Sequence, residues 1–177
     1  MFLQRLIKPG PARAAGERLY AATVAQARQP ALYAAMGAPD TPNGRFELYT
    51  LHVVLTLERL RGAGQGAAPI SQAYFDAYVS GLDHGLRELA VGDLTVPKTM
   101  RKLGQAFYGR SRALQAALAR LPDRTELEAL IRRTVFGGAE APDPAPFASY
   151  VIEARDALGA EASERLLAGD IDWPPLG

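Results

Sequence analysis

One predicted helix, beginning at Pro97, concentrates cations on a single side. At about 100° per residue, one sector of it holds Lys98, Arg101, Lys102, Gln105 and Arg112. We call these five residues the basic face. The opposite sector holds Leu103, Phe107 and Leu114. Like charges at neighbouring helical positions cost about 0.2–0.5 kcal/mol per pair, so helix stability alone does not favour the arrangement. The simplest reading is a solvated surface, but the residue types also suit contact with acidic or carbonyl groups.

Two further residues of this helix belong to the predicted contact surface. Both lie in the segment Phe107-Tyr-Gly-Arg110. Arg110 falls at the edge of the apolar side, where its stem can lie on the core while its guanidinium reaches a carboxylate or a carbonyl. Tyr108 and Arg110 therefore complete the predicted binding set with the basic face.

The loop before the helix contains residues that restrict or extend the range of backbone conformations. In Val91-Gly-Asp-Leu-Thr-Val-Pro-Lys98, we expect Gly92 to adopt a backbone conformation closed to other residues. Asp93 can bond the amides that follow it, and Pro97 suits the first helical turn. Structural necessity alone would also explain all three residues.

A second turn-rich cluster runs from Gly37 to Glu47 and leads into an apolar helix. Asn43 or Gly44 can cap that helix, and Glu47 would lie in its first turn. Asp40 and Arg45 belong to the same rigid entry. Further along, His52 lies on a polar strip of the helix with Arg45. We expect an internal ion pair for it, with Asp40, Asp83 or Asp93 as the partner.

The chain offers little for catalysis. It has no cysteine and two histidines, which excludes thiol chemistry, and it lacks a nucleophile-elbow sequence. The spacing of His, Asp and Glu does not resemble a metal site, and we expect neither a metal nor a cofactor. A helical enzyme using Asp76 or Asp83 remains the weaker alternative.

Helical periodicity extends through nearly the whole sequence. The predicted helices span about 12–29, 46–61, 70–90, 97–121, 125–136, 147–158 and 161–167. No long alternation of apolar and polar residues predicts a strand. We therefore expect an all-α, single-domain irregular bundle of about six to seven helices over residues 1–177, with residues 46–61 as the central helix.

Composition limits the partners and the compartment. The chain has 177 residues, 48% hydrophobic, and a net charge of +1, which argues against a general DNA binder. Its start contains Arg5 and Lys8 but no apolar core of a signal sequence. No segment approaches the roughly 18 apolar residues of a membrane span. A cytoplasmic protein is expected.

Several ordered motifs resemble those of the ubiquinol-cytochrome c chaperone family. They are Gly37 with Pro39-Asp-Thr41, Gly44-Arg-Phe-Glu47, Leu86-Arg-Glu88, Val91-Gly-Asp93, Val96-Pro-Lys98 and Phe107-Tyr-Gly-Arg110. The resemblance covers residues 32–118, while residues 119–177 share only helical character with the family. Ala90 stands where the family is expected to have a glycine, Thr99 where it often has a basic residue, and Gln105 where it often has an acidic one.

The resemblance implies an all-helical, non-enzymatic chaperone for newly made cytochrome b. Implied partners are cytochrome b itself and, as in mitochondrial members, the ribosome exit region. A cytoplasmic or membrane-peripheral location follows. The basic face would meet helix-end carbonyls, acidic loops or an anionic membrane surface. A ribosome- or RNA-binding module using the same cations is the alternative.

Overall fold

The computed structural model describes residues 10–90, 92–138 and 142–176, and these ranges contain eight helices and no strand. The helices are α1 Pro11–Ala27, α2 Pro30–Ala34, α3 Pro42–Arg61, α4 Ala67–Glu88, α5 Val96–Leu118, α6 Thr125–Thr134, α7 Ala145–Ala160 and α8 Ser163–Ala168. The all-α prediction is confirmed. Helix α2 was not predicted, because five residues are too few to show a helical period. The predicted features at Arg5, Lys8 and Val91 lie outside the described residues.

Proline starts many of these helices. It occupies the first turn of α1, α2, α3, α5 and α7, where its missing N–H costs no hydrogen bond. At α3 the cap is Thr41, whose Oγ1 accepts a hydrogen bond from the Gly44 amide at 3.1 Å. The prediction of Asn43 or Gly44 as the cap was wrong, because Pro42 fits the first helical position. Glu47 consequently lies beyond the first turn.

Helix α3 is central, as its apolar sequence predicted. It contacts α1, α4, α5 and α7, while α1 lies along α4 and also touches α8. Its side chains Leu48, Val53, Val54 and Leu55 are buried in a hydrophobic core to which the other long helices contribute. This packing fixes which sides of α4 and α5 remain exposed.

His52 of α3 is buried and neutral, so the predicted ion pair is wrong. Its Nδ1 donates to the Leu48 carbonyl at 2.7 Å, and its Nε2 accepts from the Tyr150 hydroxyl at 2.6 Å. Tyr150 in turn accepts from Gln26 at 3.0 Å. Burial lowers the pKa of His52 to about 4, since desolvation disfavours the charged ring. The three carboxylates proposed as partners pair with arginines instead.

Arg59 ties the end of α3 to the C-terminal helices. Its guanidinium donates to the carbonyls of Leu158 at 2.8 Å and Glu161 at 2.6 Å, and to Ser163 Oγ at 3.2 Å. Carbonyls at a helix C-terminus lack intrahelical donors, so an arginine there satisfies them and complements the helix dipole.

Among the described helices, none is long and apolar enough to cross a bilayer.

Candidate binding surface

The apolar side of α5 sets the orientation of its basic face. Phe107, Leu114 and Ala117 are buried. The Phe107 ring lies 5.1 Å from that of Phe75 and 5.5 Å from that of Tyr78, centroid to centroid. Aromatic contacts of this kind add to the stabilisation from burial. They hold α5 with its opposite side toward solvent.

The predicted binding residues share that exposed side. The exposed members are Lys98, Arg101, Lys102, Gln105, Tyr108 and Arg112. Helix α5 contains no aspartate or glutamate, and within the described ranges Arg110 is its one cation that forms a salt bridge. The basic face is therefore an exposed strip, and none of its cations pairs with a carboxylate of the described residues.

Arg110 faces the protein interior. Its Nε donates to Glu47 Oε2 at 2.9 Å and its Nη2 to Oε1 at 2.8 Å. The Glu47 side chain is 4% exposed and that of Arg110 is 37% exposed. Such a two-point contact fixes orientation as well as distance. The sequence predicted that the aliphatic part of Arg110 lies on the core while its guanidinium meets a carboxylate or a carbonyl. The structure shows that the partner is the carboxylate of Glu47 on α3.

The turn between α4 and α5 differs from its prediction. Among the described residues of this turn, the left-handed conformation belongs to Ala90, with φ of 56°, and not to Gly92. A Cβ added to Gly92 would meet no atom within 4 Å. The Gly92 carbonyl accepts from the amides of Thr95 at 2.7 Å and Val96 at 3.2 Å. The prediction was wrong because a glycine in a turn does not by itself locate the positive φ.

Asp93 pairs with a neighbouring helix and not with the amides that follow it. Its Oδ1 accepts from Arg87 Nη1 at 2.6 Å, and Arg87 Nε also donates to Asp83 at 2.8 Å. The arginine side chain is long enough to reach from α4 to this carboxylate, which lies six residues further along the chain. Pro97 lies in the first turn of α5, as predicted.

The entry to α3 holds a salt bridge and a close backbone approach. Arg45 Nε donates to Asp40 Oδ1 at 2.6 Å, and this hydrogen bond lowers the pKa of the Asp40 carboxyl group below its usual value. A Cβ at Gly44 would lie 2.0 Å from the Pro39 carbonyl oxygen. Glycine is therefore required here by close approach of the backbone.

A wide cleft, not predicted from the sequence, lies beside this entry. It has a volume of about 800 Å³ and is bounded by α1, the start of α3, the second half of α4 and one side chain of α5. Its apolar lining includes Phe46, Tyr49, Leu82, Leu86, Leu89 and Leu103. Two glycines of α4 line it: a Cβ at Gly85 would meet no atom within 4 Å, whereas one at Gly81 would lie 2.1 Å from the Tyr20 hydroxyl.

The carboxylates considered for catalysis have local partners. Asp76 accepts from Gln72 at 2.7 Å, and Asp83 accepts from Arg87. Within the described ranges, no three histidine or acidic side chains are grouped as metal ligands. Among the residues that the structure describes, the hydrogen-bond partners of Asp76 and Asp83 are Gln72 and Arg87, both on α4 and in neither case a histidine or a hydroxyl group.

Comparison with known proteins assigns the chain to a family. Residues 34–173 match the family described as ubiquinol-cytochrome C chaperone, which extends through the C-terminal helices. The crystal structure of the Cbp3 homolog from Brucella abortus superposes with a TM-score of 0.84, at 38% identity over 94% of this chain and 92% of that one. No curated protein sequence matches significantly. The chain belongs to the ubiquinol-cytochrome c chaperone family.

Proposed function

We propose that the protein is a non-enzymatic assembly chaperone that binds newly synthesised cytochrome b on its way into ubiquinol-cytochrome c reductase. The observation that carries the proposal is the family match over residues 34–173. The likeness to a Cbp3 homolog along nearly the whole of both chains supports it. The protein would act in the cytoplasm, at or near the inner membrane.

The exposed surface suits a client that is part apolar and part polar. The cleft offers aromatic and aliphatic side chains such as Tyr49 and Leu86, which can cover an apolar client segment. The basic face, with Tyr108, lies on the neighbouring helix and can bind carbonyls at client helix ends or acidic client loops. Arg110 would act indirectly, since its guanidinium holds Glu47 and thereby orients α5.

The decisive experiment removes the gene in its native host. Assembled ubiquinol-cytochrome c reductase should fall while other respiratory complexes stay near their normal level, as measured on native gels and by the b-type haem spectrum. A tagged copy should restore the complex and co-isolate cytochrome b while it is being made. Normal reductase in the deletion strain would refute the proposal.

A ribosome contact near the exit region is a second candidate, favoured by the unneutralised cations of the basic face. Binding to ribosomal RNA should weaken steeply with salt, because it releases condensed counterions. Capture of a client through apolar surface should depend on salt only weakly. Sedimentation of ribosomes with the purified protein across a salt series separates the two. The enzyme alternative is not proposed, since Asp76 and Asp83 are bonded to their own helical neighbours.

A further inference from the structure

We propose that the hairpin joining α4 to α5 docks the protein on an anionic lipid bilayer, with Leu94 inserted among the lipids and the first cations of α5 at the headgroups. The inference deepens the proposed location at the inner membrane and rests on it. It does not require a client, so it can be tested with the purified protein alone.

The tip of the hairpin carries a leucine that is almost fully open to solvent, next to the exposed carboxylate of Asp93. The Leu94 side chain is 98% exposed and that of Leu89 is 58% exposed. Leu94 lies within the turn from Gly92 to Thr95, and Leu89 follows the last residue of α4, so both lie at the same end of the helix pair. Leu89 also lines the cleft. A leucine as exposed as Leu94 contributes little to the packing of the fold, whereas transfer of such a side chain from water into an apolar phase is favourable.

Cations follow the tip directly. Lys98, Arg101 and Lys102 occupy the first two turns of α5 and are exposed. The positive end of the helix dipole lies there, and it favours carboxylates over cations. The stability of α5 therefore does not account for them. An anionic surface would neutralise all three at once.

The nearby acidic groups offset this charge only in part. Between positions 83 and 102, four cations (Arg87, Lys98, Arg101 and Lys102) face three carboxylates (Asp83, Glu88 and Asp93). These carboxylates form their salt bridges within α4 and its following turn, with Arg87 and His84, and not with the cations of α5. The hairpin thus presents an exposed leucine with a small net positive charge behind it. That combination is typical of protein segments that lie in the interface of an anionic membrane. Nucleic acid would use the cations but not the leucines.

Vesicle flotation tests the proposal. The full chain should bind vesicles that contain phosphatidylglycerol, bind phosphatidylcholine vesicles much less, and dissociate as salt rises. Replacing both Arg101→Gln and Lys102→Gln should weaken partitioning roughly 30-fold. Leu94→Ser should weaken it roughly tenfold or more. The double variant Arg132→Gln and Arg133→Gln removes two adjacent exposed cations from α6 and should bind like the wild type.

The insertion itself can be measured because the chain has no cysteine. An environment-sensitive dye on Leu94→Cys should shift to the blue with anionic vesicles, while the same dye on Glu164→Cys, exposed on α8, should not. Three results would overturn the proposal: no binding of the wild type to anionic vesicles, equal loss in the α6 control, or an aqueous spectrum at position 94. If cytochrome b still co-isolates in such a case, the chaperone function stands and only the membrane contact fails.

Discussion

Glu47 on α3 accepts two hydrogen bonds from Arg110 on α5, 63 residues further along the chain. The two residues end the motifs Gly44-Arg-Phe-Glu47 and Phe107-Tyr-Gly-Arg110. Two motifs that are distant in the sequence are therefore in direct contact in the fold. The contact joins the central helix, near its N-terminal end, to the helix that carries the basic face.

Breaking this pair should be costly. Arg110→Met leaves the carboxylate of Glu47, which is 4% exposed, without its partner. Removal of one member of a buried pair costs about 3–5 kcal/mol, and we expect about 2–4 kcal/mol here because water reaches the arginine. Urea unfolding measures the loss. Arg112→Met, on the exposed side of the same helix, should change stability by less than about 0.5 kcal/mol.

The double variant Glu47→Met and Arg110→Met should recover much of that loss, because no unpaired charge remains buried. If Arg110→Met and Arg112→Met are equally mild, the Glu47 pair does not stabilise the packing of α5 on α3.

Acid should weaken the fold through His52. Its pKa is about 4 in the folded protein against 6.5 for the free side chain, so the unfolded chain takes up the proton more readily. The neutral ring contributes fully to the free energy of unfolding above about pH 6.5, and this contribution is lost as the pH falls toward 4. By pH 5 the loss of stability should be about 2 kcal/mol. Chemical unfolding at a series of pH values measures it.

His52→Gln should be less stable at neutral pH, because Tyr150 and Leu48 lose their ring partner, but it should lose less stability on acidification. His84→Gln, exposed on α4, serves as the control and should keep the wild-type acid dependence. Identical acid dependence in all three proteins would show that His52 is not the group responsible.

Two helical glycines should respond oppositely to alanine. At Gly44 a Cβ would lie 2.0 Å from the backbone oxygen of Pro39, and the expected loss is about 1–3 kcal/mol or more. At Gly109 a Cβ would meet nothing within 4 Å, and the expected gain is about 0.5–1 kcal/mol. Thermal unfolding of both variants decides this. Similar shifts in melting temperature would contradict the close approach at Gly44.

Ala90→Gly should stabilise the turn between α4 and α5. A left-handed alanine, here with φ of 56°, costs about 1–2 kcal/mol, and glycine removes most of that cost. We expect a gain of about 0.5–1 kcal/mol in urea unfolding. Ala119→Gly, at the right-handed C-cap of α5, should not be stabilising.

Gly92→Val should have a small effect on the free energy of unfolding, since no atom lies near its Cβ position.

The far end of the basic face should contact the client. The double variant Tyr108→Ala and Arg112→Glu changes only exposed side chains, so the fold should survive. We expect a photo-crosslinker at Gln105 to reach cytochrome b in the wild type and to lose most of that product in the variant. The Leu94→Ser variant should still form the crosslinked product in detergent extracts, where no bilayer is needed. Equal crosslinking in all three proteins would place the client elsewhere, with the cleft as the next surface to examine.

Local patterns in the sequence were enough for every described helix except the five-residue α2, and for the composition of the basic face. A helical period and a proline in the first turn depend on residues within a few positions of one another. The course of α5 and the division between its apolar side and its basic face follow from those positions, while the exposure of Lys98, Arg101 and Lys102 depends on how α5 packs. The ordered motifs likewise identified the family without any knowledge of the packing.

Tertiary structure decided every contact between distant residues. His52 meets Tyr150 across 98 positions, and Glu47 meets Arg110 across 63. Such partners depend on how the helices cross, which the period of one helix does not contain. The cleft arises in the same way, from the spacing of α1, α3 and α4. The left-handed residue of the α4–α5 turn, Ala90, stands where the resemblance led us to expect a glycine, but Gly92 drew the prediction, because local composition does not say where two packed helices make the chain reverse.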